Sequence, residues 1–299
     1  MELIECIPNL SEGRNHQALD LLWQHLQQVS GLYALDQHRD PDHHRTVLTL
    51  AGDAQAIENA AHLLFEWSLT HIDVSRHEGV HPRLGAVDVF PLVPLRGISV
   101  EEAVRFSHQL VQSIEARWNV PCLRYEKSAP EGREHRLPLL RKAWRTAPPS
   151  HKHPQLGGCV LGVRDPLVAW NVWLHSTNVS IARNIAQKLR EVNGGFKGLR
   201  TLGLTLPVLQ KTQVSMNLVE HKASDLRTIF QQIEAEAEAH GVRVSHTEFV
   251  GLVPESLFEH FPPTDIRSTH STPEALAAAH GLNTVLSRIT GKEITDLFV

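Results

Sequence analysis

A chain of 299 residues exceeds what one hydrophobic core usually organises, and 41% hydrophobic with 21% charged residues excludes the disordered, fibrous and membrane classes. A formal net charge of −4 gives no global basic field to draw nucleic acid, and no apolar run reaches the length of a membrane span. The start, Met1-Glu2-Leu3-Ile4-Glu5, opens on acids rather than on a basic and then apolar leader, so a cytoplasmic setting is expected.

In chain order, residues 3–8 read as a short buried strand and residues 15–29 as a helix with Leu19, Leu22, Leu26 and Val29 on one face. Strands at 31–35 and 46–50 flank a turn-rich stretch, 36–45, and Asp53 caps a helix whose Ile57, Ala60, Ala61 and Leu64 share a stripe. An irregular loop fills 75–85, then 86–90 reads as a strand that Pro91 and Pro94 end early. Ser99 through Glu102 is a capping box for a helix that turns Ala103, Phe106, Leu110 and Ile114 inward, and 120–125 closes a first domain as its last strand. Residues 126–153 are polar, with a short helix and a connecting loop. The rhythm restarts with strands at 159–163 and 167–174, a helix opened by Ser180 and carrying Ile181, Ile185, Ala186 and Leu189, and a cleanly alternating strand at 213–218. A helix at 226–239 precedes extended segments at 242–245 and 249–253, a helix start at Pro273, and a final helix near 284–289. Two mixed α/β units result, expected to pack together around a cleft that would be the natural ligand site.

No G-x-G-x-x-G, P-loop or G-x-S-x-G motif is present, which removes the commonest nucleotide and serine-hydrolase readings. Cys6, Cys122 and Cys159 form no C-x-x-C pair and read as small buried hydrophobes in or near strands. His77-Glu78-Gly79-Val80-His81 spells H-E-x-x-H, yet a zinc protease needs that motif on a helix. Gly79 and Pro82 oppose such a helix, so the stretch is read as a proline-stiffened loop holding a histidine. Two other loops carry charge. Residues 9–14, Asn-Leu-Ser-Glu-Gly-Arg, join a strand to a helix, and residues 36–45 pack eight ionisable side chains and end on Arg45 beside a strand. His81 with Arg83, Arg45 and Asp88 suits proton transfer on an anionic substrate, because histidine exchanges protons near neutral pH.

The runs at residues 5–14, 40–47 (Asp-Pro-Asp-His-His-Arg-Thr-Val), 77–88 (His-Glu-Gly-Val-His-Pro-Arg-Leu-Gly-Ala-Val-Asp) and 213–218 (Gln-Val-Ser-Met-Asn-Leu) together resemble the formiminotransferase domain. That domain is found in formiminotransferase-cyclodeaminase and in stand-alone glutamate formimidoyltransferases, and the order and spacing agree over nearly the whole chain. The resemblance implies an α/β (α+β) fold of two ferredoxin-like sandwich subdomains, 1–175 and 176–299, with a folate and substrate groove between their sheets, and a homodimer. It implies transfer of a formimino group from N-formimino-L-glutamate to N5 of tetrahydrofolate in histidine degradation, with tetrahydrofolate as co-substrate, His81 as the catalytic histidine and no metal. Arg45 and Arg83 are candidates for substrate or folate carboxylates, Asp88 for orienting a histidine or the cationic amidine, and His38 stands where some family members carry aspartate. Residues 148–158 take the place of the family's folate-binding loop, keeping Gly157-Gly158, with Ser150, His151, His153, Pro154 and Gly157 as expected folate contacts. Ser150 to His153 suits a polyglutamate tail or simply a solvated basic turn. The alternatives are a formyl donor on the same scaffold or a noncatalytic ligand-binding homologue.

Overall fold

Leu3–Cys6 (β1) and Asn9–Leu10 (β2) are two short pieces of one extended line, broken at Ile7 and Pro8. The computed structural model describes residues 2–220, 223 and 225–251; the expected helix near 284–289, the helix start at Pro273 and the end of the 249–253 segment lie outside them. His16–Gln27 (α1) is capped by Asn15, whose side chain accepts from the Ala18 N–H at 3.1 Å. Its Leu19, Leu22 and Leu26 are fully buried, each worth about 1.5–3 kcal/mol against exposure.

Leu32–Asp40 (β3) and Arg45–Gly52 (β4) form an antiparallel hairpin in which Asp40 pairs with Arg45 across a four-residue turn. The strand therefore runs five residues further than the expected end at Leu35, through a register shift between Ala34 and Asp36. Polar residues fit there because β3 is the edge of its sheet, where charged side chains are ordinary. Ala54–His71 (α2) is capped by Asp53 and Val100–Trp118 (α3) by the expected Ser99/Glu102 box. Between them Val87–Arg96 (β5) passes straight through both prolines. Pro91 needs no N–H of its own to accept the Ile7 N–H at its carbonyl, and Pro94 lies opposite Ile4 at a register irregularity. Cys122–Arg124 (β6), Leu137–Thr146 (α4) and Cys159–Val163 (β7) complete the unit. Residues 120–125 are thus not its last strand, since β7 inserts between β5 and β6, parallel to both.

Across this seven-stranded sheet the order is β3, β4, the β1/β2 line, β5, β7, β6. Its first four positions, with α1 and α2, make the β-α-β-β-α-β ferredoxin-like plan. One face packs Leu48, Leu50, Phe90, Leu92, Leu161 and Val163 against α1, α2 and α3. On the other, Val89 and Val160 meet Trp144, with Leu137 and Leu140 alongside, so α4 covers that side.

Val168–Leu174 (β8), Val179–Leu189 (α5), Leu199–Leu206 (β9), Lys211–Leu218 (β10), Leu226–Ala239 (α6) and Val244–Val250 (β11) repeat the plan in the second unit, in an all-antiparallel sheet of order β11, β8, β10, β9. Trp170, Val172, Val214 and Met216 face Ile185, Leu189, Ile229 and Ile233 of its helices. The two segments expected at 242–245 and 249–253 are one strand, and α5 is capped by Asn178 rather than opened by Ser180. The chain divides at Asp165/Pro166 into these two mixed α/β units.

Candidate active site

Three loops of the first unit are fastened to one another. Residues 73–86 form no helix, as Gly79 and Pro82 require, so the H-E-x-x-H spelling lacks the helical geometry of a zinc protease. The loop is instead held by neighbours. Val80 N–H donates to the Asp42 carbonyl at 3.2 Å, while Ser11 reaches Ala86 through its N–H and Gly85 through its hydroxyl, at 2.8 and 2.7 Å. Arg14 Nε donates to the Pro41 carbonyl at 3.0 Å, and the Thr46 hydroxyl to the Glu12 carbonyl at 2.6 Å. Contact is close enough that a Cβ on Gly79 would sit 2.5 Å from the His43 carbonyl oxygen, and one on Gly85 would sit 2.0 Å from that of Gly158.

His81 lies half-buried at the centre. Arg45, the first residue of β4, donates from Nη1 to His81 Nε2 at 2.8 Å. A guanidinium can only donate, so the ring presents a lone pair at Nε2 and carries its proton at Nδ1. The buried His43 ring stands 5.6 Å away, centroid to centroid. Burial first, then Arg45, Arg141, His43 and Arg83, hold the His81 pKa well below its usual value, so the imidazole is neutral. Arg45 is lowered too: burial and Arg141 bring its pKa down to about 10, against the upward pull of Asp40 and Asp88.

Arg83 and His77 form the floor of the loop. Arg83 donates from Nη1 to His77 Nδ1, and from Nη2 to the His43 and His81 carbonyls at 3.1 and 2.8 Å. His77 donates from Nε2 to the His44 carbonyl at 3.1 Å, and its ring stacks on that of His44 at 4.0 Å. Burial and Arg83 carry the His77 pKa down to about 4. His44, whose φ of 49° is left-handed, closes the β3–β4 turn. It donates from Nδ1 to the Glu78 carbonyl at 2.8 Å and faces Glu12 with Nε2 at 3.2 Å. Burial raises the Glu12 carboxyl, but hydrogen bonds from His44, Asn15 and Arg14 outweigh it and bring it to about 2. Glu12 therefore serves as an anionic tie between loops.

Asp88 reaches the cluster because Asn9 pairs with Val89 and Leu10 with Val87, leaving it the extra residue of a bulge. It accepts from the Leu84 N–H at 2.5 Å and from Arg141 Nη2 of α4. Trp144, one turn along α4, donates from Nε1 to the Leu84 carbonyl at 3.1 Å. Neither Arg141 nor Trp144 was singled out in the sequence; the available signal was the apolar stripe Leu137, Leu140, Trp144 inside a charged stretch.

The structure thus gathers His81, Arg45, Arg83 and Asp88. His38 lies on the same hairpin, opposite Val47, on the face that Asp40 and Arg45 share. Of the expected folate loop, Gly157 (φ 70°) bridges to Gly85 and exchanges two 2.8 Å hydrogen bonds with His153, whose Nδ1 accepts from Leu156 N–H at 2.9 Å. His153 and Gly157 are therefore built into the wall beside the histidine loop, while Ser150, His151 and Pro154 are exposed. The arrangement offers a neutral histidine among three guanidiniums and one carboxylate, suited to moving a proton next to a bound anion.

Comparison with known proteins gives two family matches: the formiminotransferase domain, N-terminal subdomain, over residues 3–164, and the formiminotransferase domain over residues 169–261. A glutamate formimidoyltransferase from Streptococcus pyogenes serotype M1 is 37% identical over 267 residues, covering 85% of this chain and 89% of that protein. One from Thermoplasma acidophilum is 30% identical over 270 residues, again with 85% and 89% covered. A formimidoyltransferase-cyclodeaminase from Mus musculus is 33% identical over 273 residues, which is 85% of this chain and 50% of that longer protein.

Proposed function

The chain belongs to the formiminotransferase domain family, and from that premise we propose that it moves the formimino group of N-formimino-L-glutamate to N5 of tetrahydrofolate, with His81 carrying the proton. The observation that carries this reading is the neutral His81 ring, fixed by Arg45 at 2.8 Å inside a cluster of guanidiniums. N5 attacks the amidine carbon, forming a C–N5 bond and a tetrahedral intermediate. Arg45 turns from Nε2 to a ligand carboxylate, and His81 takes the N5 proton on the lone pair so freed, then returns it to the glutamate nitrogen as its C–N bond breaks, releasing L-glutamate and 5-formimino-tetrahydrofolate. General acid–base assistance of this kind is worth about 10²- to 10⁴-fold.

We assign the carboxylates of the incoming ligands to Arg45 and Arg83, whose guanidiniums supply charged N–H donors beside His81. An anion bound there offsets the positive field that keeps His81 from accepting a proton, so the donor itself would ready the base. Asp88 acts through Leu84 and Arg141 as a positioning residue. His153 and Gly157, which shape the wall beside Gly85, belong with the folate in this scheme, as do Ser150, His151 and Pro154 of the same segment, while His38 lies on β3 of the Arg45 hairpin. With the family go histidine degradation as the source of the donor, a cytoplasmic setting and a homodimer, all part of the same proposal.

The test is a turnover assay with tetrahydrofolate and either N-formimino-L-glutamate or N-formyl-L-glutamate. Formimino transfer with the first donor is the expected result. Turnover with the formyl donor alone changes the reaction, and stoichiometric binding of folate without turnover of either contradicts an enzymatic role.

A further inference from the structure

Arg141 enters the histidine cluster from α4, an element outside the three loops that the sequence motifs mark. Its Nη2 donates to Asp88, which is buried and already accepts the Leu84 N–H, so the guanidinium is gripped at one end. Trp144 holds the same helix to the Leu84 carbonyl at 3.1 Å. The other end is not matched: the Arg141 Nε–H is buried and has no hydrogen-bond partner. A buried donor left unmade costs on the order of 1–3 kcal/mol, more on a charged group, and a ligand oxygen that reached it would remove that cost. Charge points the same way. Arg141 lies close enough to Arg45, Arg83 and His81 to oppose a proton on each of them, so this corner has a surplus of positive charge.

We infer that Arg141 is a carboxylate-recognition residue of the site, its Nε–H completing a hydrogen bond to a substrate carboxylate while Asp88 fixes its orientation. The inference rests on the reading under Proposed function for the identity of the ligands. Two of them bring carboxylates: the dicarboxylate donor and the glutamate tail of the folate. Arg45 and Arg83 alone give two guanidiniums, and a third lets the site read a second carboxylate and reject ligands with an amide in its place, since an amide brings no charge to a buried cation.

Calorimetric binding to the intact protein tests this without requiring turnover. N-formimino-L-glutamate would be compared with its α- and γ-monoamides, and 5-formyl-tetrahydrofolate with the same compound amidated on both tail carboxylates. Wild type should favour the acid over the amide in at least one comparison, and Arg141→Gln should reduce that preference about 10- to 100-fold, as loss of a charged hydrogen bond predicts. The comparison that collapses identifies which ligand Arg141 reads. Arg141→Lys, which keeps a cation opposite Asp88 but has no Nε–H fork, should be intermediate, and it decides alone should the glutamine variant not fold. Equal weakening of acid and amide, leaving every ratio at its wild-type value, would assign Arg141 a purely structural role and overturn the inference. Selective binding by a wild type that transfers no formimino group contradicts the proposed reaction and leaves the carboxylate site standing.

Discussion

His81 is kept uncharged by burial, by the Arg45 donor on its Nε2 and by the field of Arg141 and Arg83. A base in that state needs no prior deprotonation near neutral pH, and its protonated form becomes favourable only when an anion offsets the guanidiniums. The pH dependence follows in sign. Activity requires neutral His81 and is lost as pH falls through its pKa, so the acid limb of kcat/KM, which reports free enzyme, should lie well below pH 6.5. The limb of kcat, which reports the complex, should stand at higher pH. Coincident limbs would mean that substrate charge does not reach His81. His81 and Arg83 stood out in the sequence as a histidine and an arginine either side of Pro82 in an irregular loop, and through the family resemblance, and the structure brings them together with Arg45. Arg141 was not legible, since one arginine among several in a polar stretch gains its meaning only when α4 folds against Asp88.

The loops and strands that hold these residues depend on close backbone approach. Gly85 bridges to Gly157, and any Cβ there would meet the Gly158 and Leu156 carbonyl oxygens at 2.0 and 2.4 Å. Gly85→Ala must push the segment around Gly157 off the histidine loop. Overpacking of this kind costs about 1–3 kcal/mol, so a lowered Tm and a raised KM for folate are expected, and an unchanged Tm would show that the bridge is dispensable. Elements with strong periodicity and caps, such as α1, α2, α3 and α6, were plain in the sequence. The extension of β3 to Asp40 was not, because an edge strand tolerates the charged residues that otherwise signal a turn. The prolines of β5 misled for a related reason: each falls where the sheet is irregular or needs only a carbonyl. β9 passed unnoticed because its exposed arginine and central glycine break the alternation that marks β10.

Over the whole chain, net charge and local charge have opposite signs. The formal net charge is −4, yet Arg45, Arg83 and Arg141 share one corner with Asp88. On the proposed reading, the two carboxylates of the donor are drawn by a local field rather than by the molecule at large, and that field is screened by salt over a Debye length of about 10 Å at 0.1 M. KM for N-formimino-L-glutamate should rise with ionic strength while kcat changes little; a salt-independent KM would argue against carboxylate capture by this cluster. The doubled β-α-β-β-α-β plan agrees with the fold that the sequence resemblance implied, and the histidine and arginine cluster sits on loops carried by the first sheet. The most direct measurement is the rate of formimino transfer from N-formimino-L-glutamate to tetrahydrofolate by wild type and by folded His81→Ala. A fall of about 10²- to 10⁴-fold in kcat is predicted for the loss of a general acid–base, and an undiminished rate in the variant would contradict the role given to His81.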